Sequence, residues 1–166
     1  MKLKTILVPL DGSALAEQAL PRAAELSADT GARLVLLRAV EASSMLGTDR
    51  IEAEVKLVRD AEDYLAAMSA RTMSLGARAV TTSVWYGVAP WAIAEAARVQ
   101  HADLIVMTTH GRSGLGRLFV GSVAETVLRS TRTPILLLRE AEAPIQEKPA
   151  EVATPKPVAS AKEVSR

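Results

Sequence analysis

The chain has 166 residues and no cysteine, with 20 lysines and arginines against 19 aspartates and glutamates; 49% of its residues are hydrophobic and only 3% aromatic. That length suits one domain, whose core must be built from Ala, Leu, Val and Ile. Without cysteine there are no disulfides, iron–sulfur clusters or thiolate zinc sites, and a balanced charge with so few aromatic residues leaves neither a basic field nor a stacking surface for nucleic acid.

Along the chain, MKLKTILVPLDGS turns polar too early for a signal-peptide core, and no later stretch reaches the roughly 18 apolar residues of a membrane span. A soluble, cytoplasmic protein is expected, with no membrane contact. Leu3 to Pro9 reads as the first strand. Ala14 to Thr30 reads as a helix with Leu15, Ala19, Ala23 and Leu26 on one face, stopped by Gly31. Leu34 to Val40 is a second strand. After a loop around Ser43 to Asp49, a long helix runs to about Leu75 with Ile51, Val55, Val58, Leu65 and Met68 as its buried stripe. Ala79 to Val84 is the third strand, and Pro90 suits the first turn of a helix reaching about His101. Asp103 to Thr108, Ser122 to Ser130 and Pro134 to Leu138 complete the pattern as strand, helix and strand. Residues 140 to 166 hold four of the eight prolines and no aromatic residue, the composition of a disordered tail that follows a domain at 1 to 139.

Short strands that are apolar throughout, alternating with helices, predict an open five-stranded parallel α/β sheet covered on both faces. Ligands of such sheets bind beyond the carboxyl ends of the strands, where the winding reverses. The residues just after the strands are Asp11, Gly12 and Ser13, then Glu41, then Trp85 to Ala89, then Thr109 to Gly121, and two of these segments are informative. THGRSGLGRLFVGS follows the fourth strand and contains Gly111, Gly114, Gly116 and Gly121, with Arg112, Arg117 and a helix start at Ser122. Glycines admit backbone amides to anionic oxygens, and a helix N-terminus offers unpaired N–H groups, so the segment reads either as a phosphate site or as a surface loop. It is neither a Walker A loop, since no glycine is followed by lysine, nor a dinucleotide fingerprint, which belongs after the first strand. Pro9-Leu10-Asp11-Gly12-Ser13 follows the first strand. Asp11 there can accept from a ribose or hold phosphate-bound Mg²⁺ through water; the plainer alternative is that Asp11 or Ser13 caps the next helix.

The segments LKTILVPLDGS, LVLLRAV, GVAPWAIAEAA and ADLIVMTTHGRSGLGRLFVGSVAETVLRSTRTPILLLR resemble the universal stress protein family over about residues 1 to 139. That resemblance implies strand order 3-2-1-4-5 and, in one branch of the family, ATP in the crevice. The branch carries a glycine, two residues, a glycine, nine residues, then Gly-Ser or Gly-Thr. Gly111, Gly121 and Ser122 meet it, while Thr108 stands at the first glycine position. By the same resemblance Asp11 is the ribose carboxylate, Pro9 and Ala39 bracket the adenine, and Gly111, Arg112, Gly121, Ser122 and Val123 form the phosphate side. The family commonly dimerises through the fifth strand, Pro134 to Arg139 here.

The expected function is ATP binding, with Mg²⁺, as a structural or signalling ligand in a stress response, and with no catalytic residue. The backbone amides around Gly111 and Gly121 are expected to face a triphosphate across from Asp11. Two alternatives stand beside it: a slow ATPase or nucleotidyl transferase using Asp11 and His110, and a nucleotide-free dimeric interaction module. His101 is expected to meet the carbonyl end of its helix, and Trp85, Tyr86 and Trp91 to be core or covering residues. Arg50, Glu52, Glu54 and Lys56 read as a solvated helix face.

Overall fold

The computed structural model describes residues 2–41, 48–109 and 121–139. Its elements in chain order are β1 (Thr5–Pro9), α1 (Ala14–Glu17), α2 (Ala19–Thr30), β2 (Arg33–Val40), α3 (Thr48–Ser74), β3 (Val80–Tyr86), α4 (Ala89–Val99), β4 (Leu104–Thr109), α5 (Ser122–Ser130) and β5 (Ile135–Arg139). The five strands form one parallel sheet in the order β3-β2-β1-β4-β5. The expected disordered tail from Glu140 lies outside the described residues. No helix among the described residues is long and apolar enough to cross a membrane.

Each strand residue faces one of two cores because side chains alternate across a sheet. Ile6, Val8, Leu34, Leu36 and Val106 are buried with Leu20, Ala23 and Ala24 of α2 and Leu65 of α3. Leu7, Val35, Leu37, Ile105 and Met107 point the other way, against Ile93, Ala96 and Ala97 of α4 and Ala124 and Val127 of α5. Burial on both faces is why consecutive strand positions are apolar. The buried Ser27 hydroxyl donates to the Ala32 carbonyl and accepts from the Arg78 N–H, tying α2 to the starts of β2 and β3.

Three sequence expectations need correction. The first helix is broken at Gln18. Pro21 has no N–H for the Glu17 carbonyl and its ring crowds that oxygen, so α1 stops at Glu17 and α2 restarts with Pro21 in its first turn. The α3 stripe is buried only in its later part: Leu65 is fully buried, whereas Ile51 and Val55 are 66% and 46% exposed. A 27-residue helix is about 40 Å long against about 23 Å for the seven residues of β3, so its first turns overhang the sheet. The third strand runs on through Tyr86, and Tyr86 and Trp91 are 57% and 61% exposed. Of that aromatic group only Trp85 packs against a core, with its indole N–H donating to Ser83.

At the amino end of the sheet the Asp103 carboxylate accepts the backbone N–H groups of Lys4 and Thr5, at 2.7 and 3.0 Å. These bonds hold its pKa below the ordinary carboxylate value. Nearby, the His101 backbone N–H donates to the Arg98 carbonyl, so the helix-end contact expected of this residue is made by its main chain. Because the Asp103 pKa is lower folded than unfolded, its contribution is present above the unfolded value and fades as pH falls through the folded one. Asp103→Asn is expected to cost about 1 kcal/mol at pH 7, the low end for a charged partner because solvent reaches it. In urea unfolding, the gap from wild type should close as pH falls through and below the ordinary carboxylate range.

Candidate functional site

Backbone N–H groups alternate sides along a strand, and on β1 this alternation decides where the sheet opens. The Thr5 N–H turns toward β4, where it meets Asp103, and the Leu10 N–H turns toward β2, where it meets the Leu37 carbonyl. By that parity the N–H of residue 9 belongs on the β4 side, and residue 9 is a proline, without one. The β1–β4 ladder accordingly consists of Ile6 with Leu104 and Leu7 with Ile105, while the β1–β2 ladder continues to Pro9 with Leu37. Between the separating ends lies a crevice of about 200 Å³.

The walls differ in character. On the β2 and α4 side they are aliphatic, with Leu37, Ala39, Ala89 and Ile93; Leu15 and Ala16 of α1 add further apolar surface. On the β4 and α5 side stand Thr108, Thr109, Gly121, Ser122 and Val123. Among the described residues Asp11 is the one charged side chain lining the crevice.

The β1–α1 turn presents Asp11. Its Oδ1 accepts the Ser13 N–H at 2.8 Å, and the Ser13 hydroxyl accepts the Ala16 N–H at 3.1 Å as the N-cap of α1. Capping therefore falls to Ser13, while Asp11 closes the turn with one oxygen and keeps the other. Gly12 between them has φ +88°, and a β-carbon there would stand 3.4 Å from the Arg38 guanidinium. Arg38 lies 4.7 Å from the centre of the Tyr64 ring. The Tyr64 hydroxyl donates to Glu17 Oε1 at 3.3 Å, and Arg71 donates to Glu17 Oε2 at 2.7 Å. Burial, then the Glu17 charge and hydrogen bond, push the Tyr64 pKa up to about 12, so its hydroxyl remains a donor. A chain of contacts from α3 thus reaches Arg38, beside the Asp11 turn.

At the start of α5 the N-cap is Gly121, which has no side chain to cap with. The Gly121 N–H donates to the Thr109 hydroxyl at 3.1 Å and its carbonyl accepts the Glu125 N–H. The N–H groups of Ser122, Val123 and Ala124 have no hydrogen-bond partner among the described residues. Such first-turn amides, with the positive end of the helix dipole, suit an anion.

Of the site residues expected from sequence, Pro9, Asp11, Ala39, Thr108, Gly121, Ser122 and Val123 come together around this one crevice. Gly111 and Arg112 lie outside the described residues, as does His110. The Gly121 amide, expected to face the ligand, is already engaged by Thr109. Sequence reasoning places Thr109 at the head of the glycine segment without a role of its own, because its bond to Gly121 has no local signal. It missed Arg38, Tyr64, Glu17 and Arg71, whose meeting requires tertiary packing.

Comparison with known proteins agrees with this architecture. The universal stress protein family matches residues 2–139. A universal stress protein of Methanocaldococcus jannaschii is 29% identical over 142 residues, 82% of either chain. The solved structure of a universal stress protein family member from Burkholderia pseudomallei superposes with a TM-score of 0.65 at 32% identity, over 82% of this chain and 96% of that one. A universal stress protein in complex with cAMP superposes with a TM-score of 0.67 at 26% identity, over 83% and 98%.

The left-handed turn at Gly12 yields a test of the site's support. Gly12→Ala is expected to cost about 1 to 2 kcal/mol in thermal or urea unfolding, from strain at positive φ.

Proposed function

The chain belongs to the universal stress protein family, and we propose that it binds ATP, with Mg²⁺, in the β1–β4 crevice as a structural or signalling ligand in a stress response. The observation that carries this reading is the division of the crevice into an aliphatic wall and a wall of hydrogen-bond donors. A nucleotide has the matching division, a flat weakly polar base at one end and acceptor-only phosphate oxygens at the other. The relative whose structure holds cAMP supports the same ligand class.

The residues fit the ligand. Ala39 and Pro9 would hold the base, Asp11 would accept from the ribose, and Ser122, Val123 and the first-turn amides would hold phosphate, with Gly111 and Arg112 on the same side by the family resemblance. Thr108 lines the crevice where the family motif has glycine. As part of β4, opposite Leu138, it is a β-branched residue in a strand, where glycine would be weaker. Mg²⁺ would ride on the phosphates, because among the described residues no group of three or more metal-binding side chains exists.

Turnover is a different matter. Rapid phosphoryl transfer uses a lysine or arginine clamp and a positioned base; among the described residues no lysine or arginine lines the crevice, and its single carboxylate, Asp11, is assigned here to the ribose. Bound ATP would act by stabilising the protein and whatever partner state it favours, by about 2.7 kcal/mol at a hundredfold excess over Kd.

Titration calorimetry with Mg-ATP is expected to give one site per chain, with Asp11→Ala weakening it about tenfold through loss of a charged hydrogen-bond acceptor. Phosphate release should stay at the same background for both proteins. Absence of heat at millimolar Mg-ATP, or release that Asp11→Ala abolishes, would sink this reading.

Assembly as a homodimer through β5 belongs to the same proposal. Among the described residues both sheet edges are unpaired, but β3 is fronted by exposed Thr81 and Thr82, whereas Ile135, Leu136, Leu137 and Leu138 of β5 are all partly exposed. An apolar unpaired edge favours pairing with a second copy. Leu136→Lys, checked for folding by circular dichroism, is expected to give monomers in light scattering where wild type gives dimers.

A further inference from the structure

The hydrogen bond between β4 and the start of α5 has a use beyond holding two elements together. We infer that Thr109 is the positioning residue that aims the α5 amides at phosphate, an inference that rests on the nucleotide reading above. A helix start leaves several N–H groups unpaired, and the ordinary remedy is a Ser, Thr, Asp or Asn at the N-cap whose side chain accepts from the second or third helical residue. α1 uses that remedy, with Ser13 accepting from Ala16. α5 does not. Its N-cap is Gly121, and the side-chain oxygen at this end comes from Thr109, twelve residues earlier, which accepts the Gly121 N–H instead.

The difference is one of donor accounting. A side-chain cap at position 121 would consume one of the amides that face an anion. By accepting from Gly121, one residue before the helix, Thr109 fixes the helix start while leaving Ser122, Val123 and Ala124 without partners among the described residues. Thr109 also lines the crevice, and its oxygen, already an acceptor, retains a proton to donate. With Ser122 beside it, this end of the crevice presents donors, which selects a ligand rich in acceptors. Branching at Cβ restricts the Thr109 rotamer, so the hydroxyl stays aimed at Gly121.

The test compares wild type, Thr109→Val, Thr109→Ser and Gly121→Ser in calorimetry with Mg-ATP and with adenosine, alongside ligand-free melting. Thr109→Val, which keeps shape and loses the oxygen, is expected to bind Mg-ATP about tenfold more weakly, the effect of one misdirected or lost hydrogen bond. Adenosine, which has no phosphate, should bind as it does to wild type, and Thr109→Ser should recover most of the Mg-ATP affinity. Gly121→Ser restores an ordinary cap, so it should melt higher yet hold Mg-ATP more weakly. Equal losses for Mg-ATP and adenosine in Thr109→Val would mean a merely structural role. Unchanged Mg-ATP binding in that variant, or a Gly121→Ser protein that gains both stability and affinity, would overturn the inference while leaving nucleotide binding intact. Should Thr109→Val fail to fold, the opposed changes expected of Gly121→Ser decide the matter alone. Wild-type protein that binds neither ligand would remove the nucleotide reading and this one with it.

Discussion

Backbone hydrogen bonding between β1 and β4 stops after Leu7 and Ile105, and the rest of the site follows from that stop. In a doubly wound sheet the chain departs in opposite directions from the two central strands, so the helices that follow them diverge and a gap is available. Whether the gap reaches into the sheet depends on the ladder. With Pro9 at the position whose N–H would turn to β4, no donor is present to carry the pairing further, whereas the β2 side of the same strand continues through the Leu10 N–H. The crevice is therefore a local consequence of one missing hydrogen, and its aliphatic walls are the last layer of the α4–α5 core exposed by it.

Two turns form the rim of that gap, and each lies beside a side chain of the neighbouring structure. The Arg38 guanidinium, 3.4 Å from where a β-carbon of Gly12 would stand, is stacked on Tyr64, which is linked through Glu17 to Arg71, so the packing of α3 on the far face of the sheet borders the Asp11 turn. The start of α5 is bonded to Thr109. Polar groups are left without partners among the described residues at both turns: one oxygen of Asp11, and the first-turn amides beyond Gly121. A cleft prepared in this manner loses little conformational freedom when it is filled.

The sheet was legible because burial on both faces writes continuous apolar strands, and strand order entered through the family resemblance of the glycine segment. Seven of the nine expected site residues line one crevice because they lie at or just beyond the carboxyl ends of β1, β2 and β4 or at the start of α5, and these ends meet. The errors have physical sources as well. Periodicity ran through Gln18 because Ala19 and Ala23 remain on the buried face after the break that Pro21 imposes. It also counted Ile51 and Val55 as core, since a pattern of apolar residues does not reveal that the strands beneath are shorter than the helix. The roles of Thr109 and Arg38 were invisible for another reason. A hydroxyl at a strand end and a cation on a strand acquire meaning only from residues 12 and 26 positions away, Gly121 and Tyr64.

Holding a triphosphate and transferring it place opposite demands on such a crevice. Transfer needs charge concentrated on the moving phosphoryl group and a base beside the attacking oxygen. The described residues supply instead neutral donors spread over a helix turn and the hydroxyl residues Thr108, Thr109 and Ser122, with a single carboxylate across the gap, one oxygen of which accepts the Ser13 N–H. Neutral donors stabilise the ground-state phosphates as well as any transition state, so they lower the free energy of the complex without lowering the barrier above it. On the proposed reading, a nucleotide in this crevice is held rather than turned over.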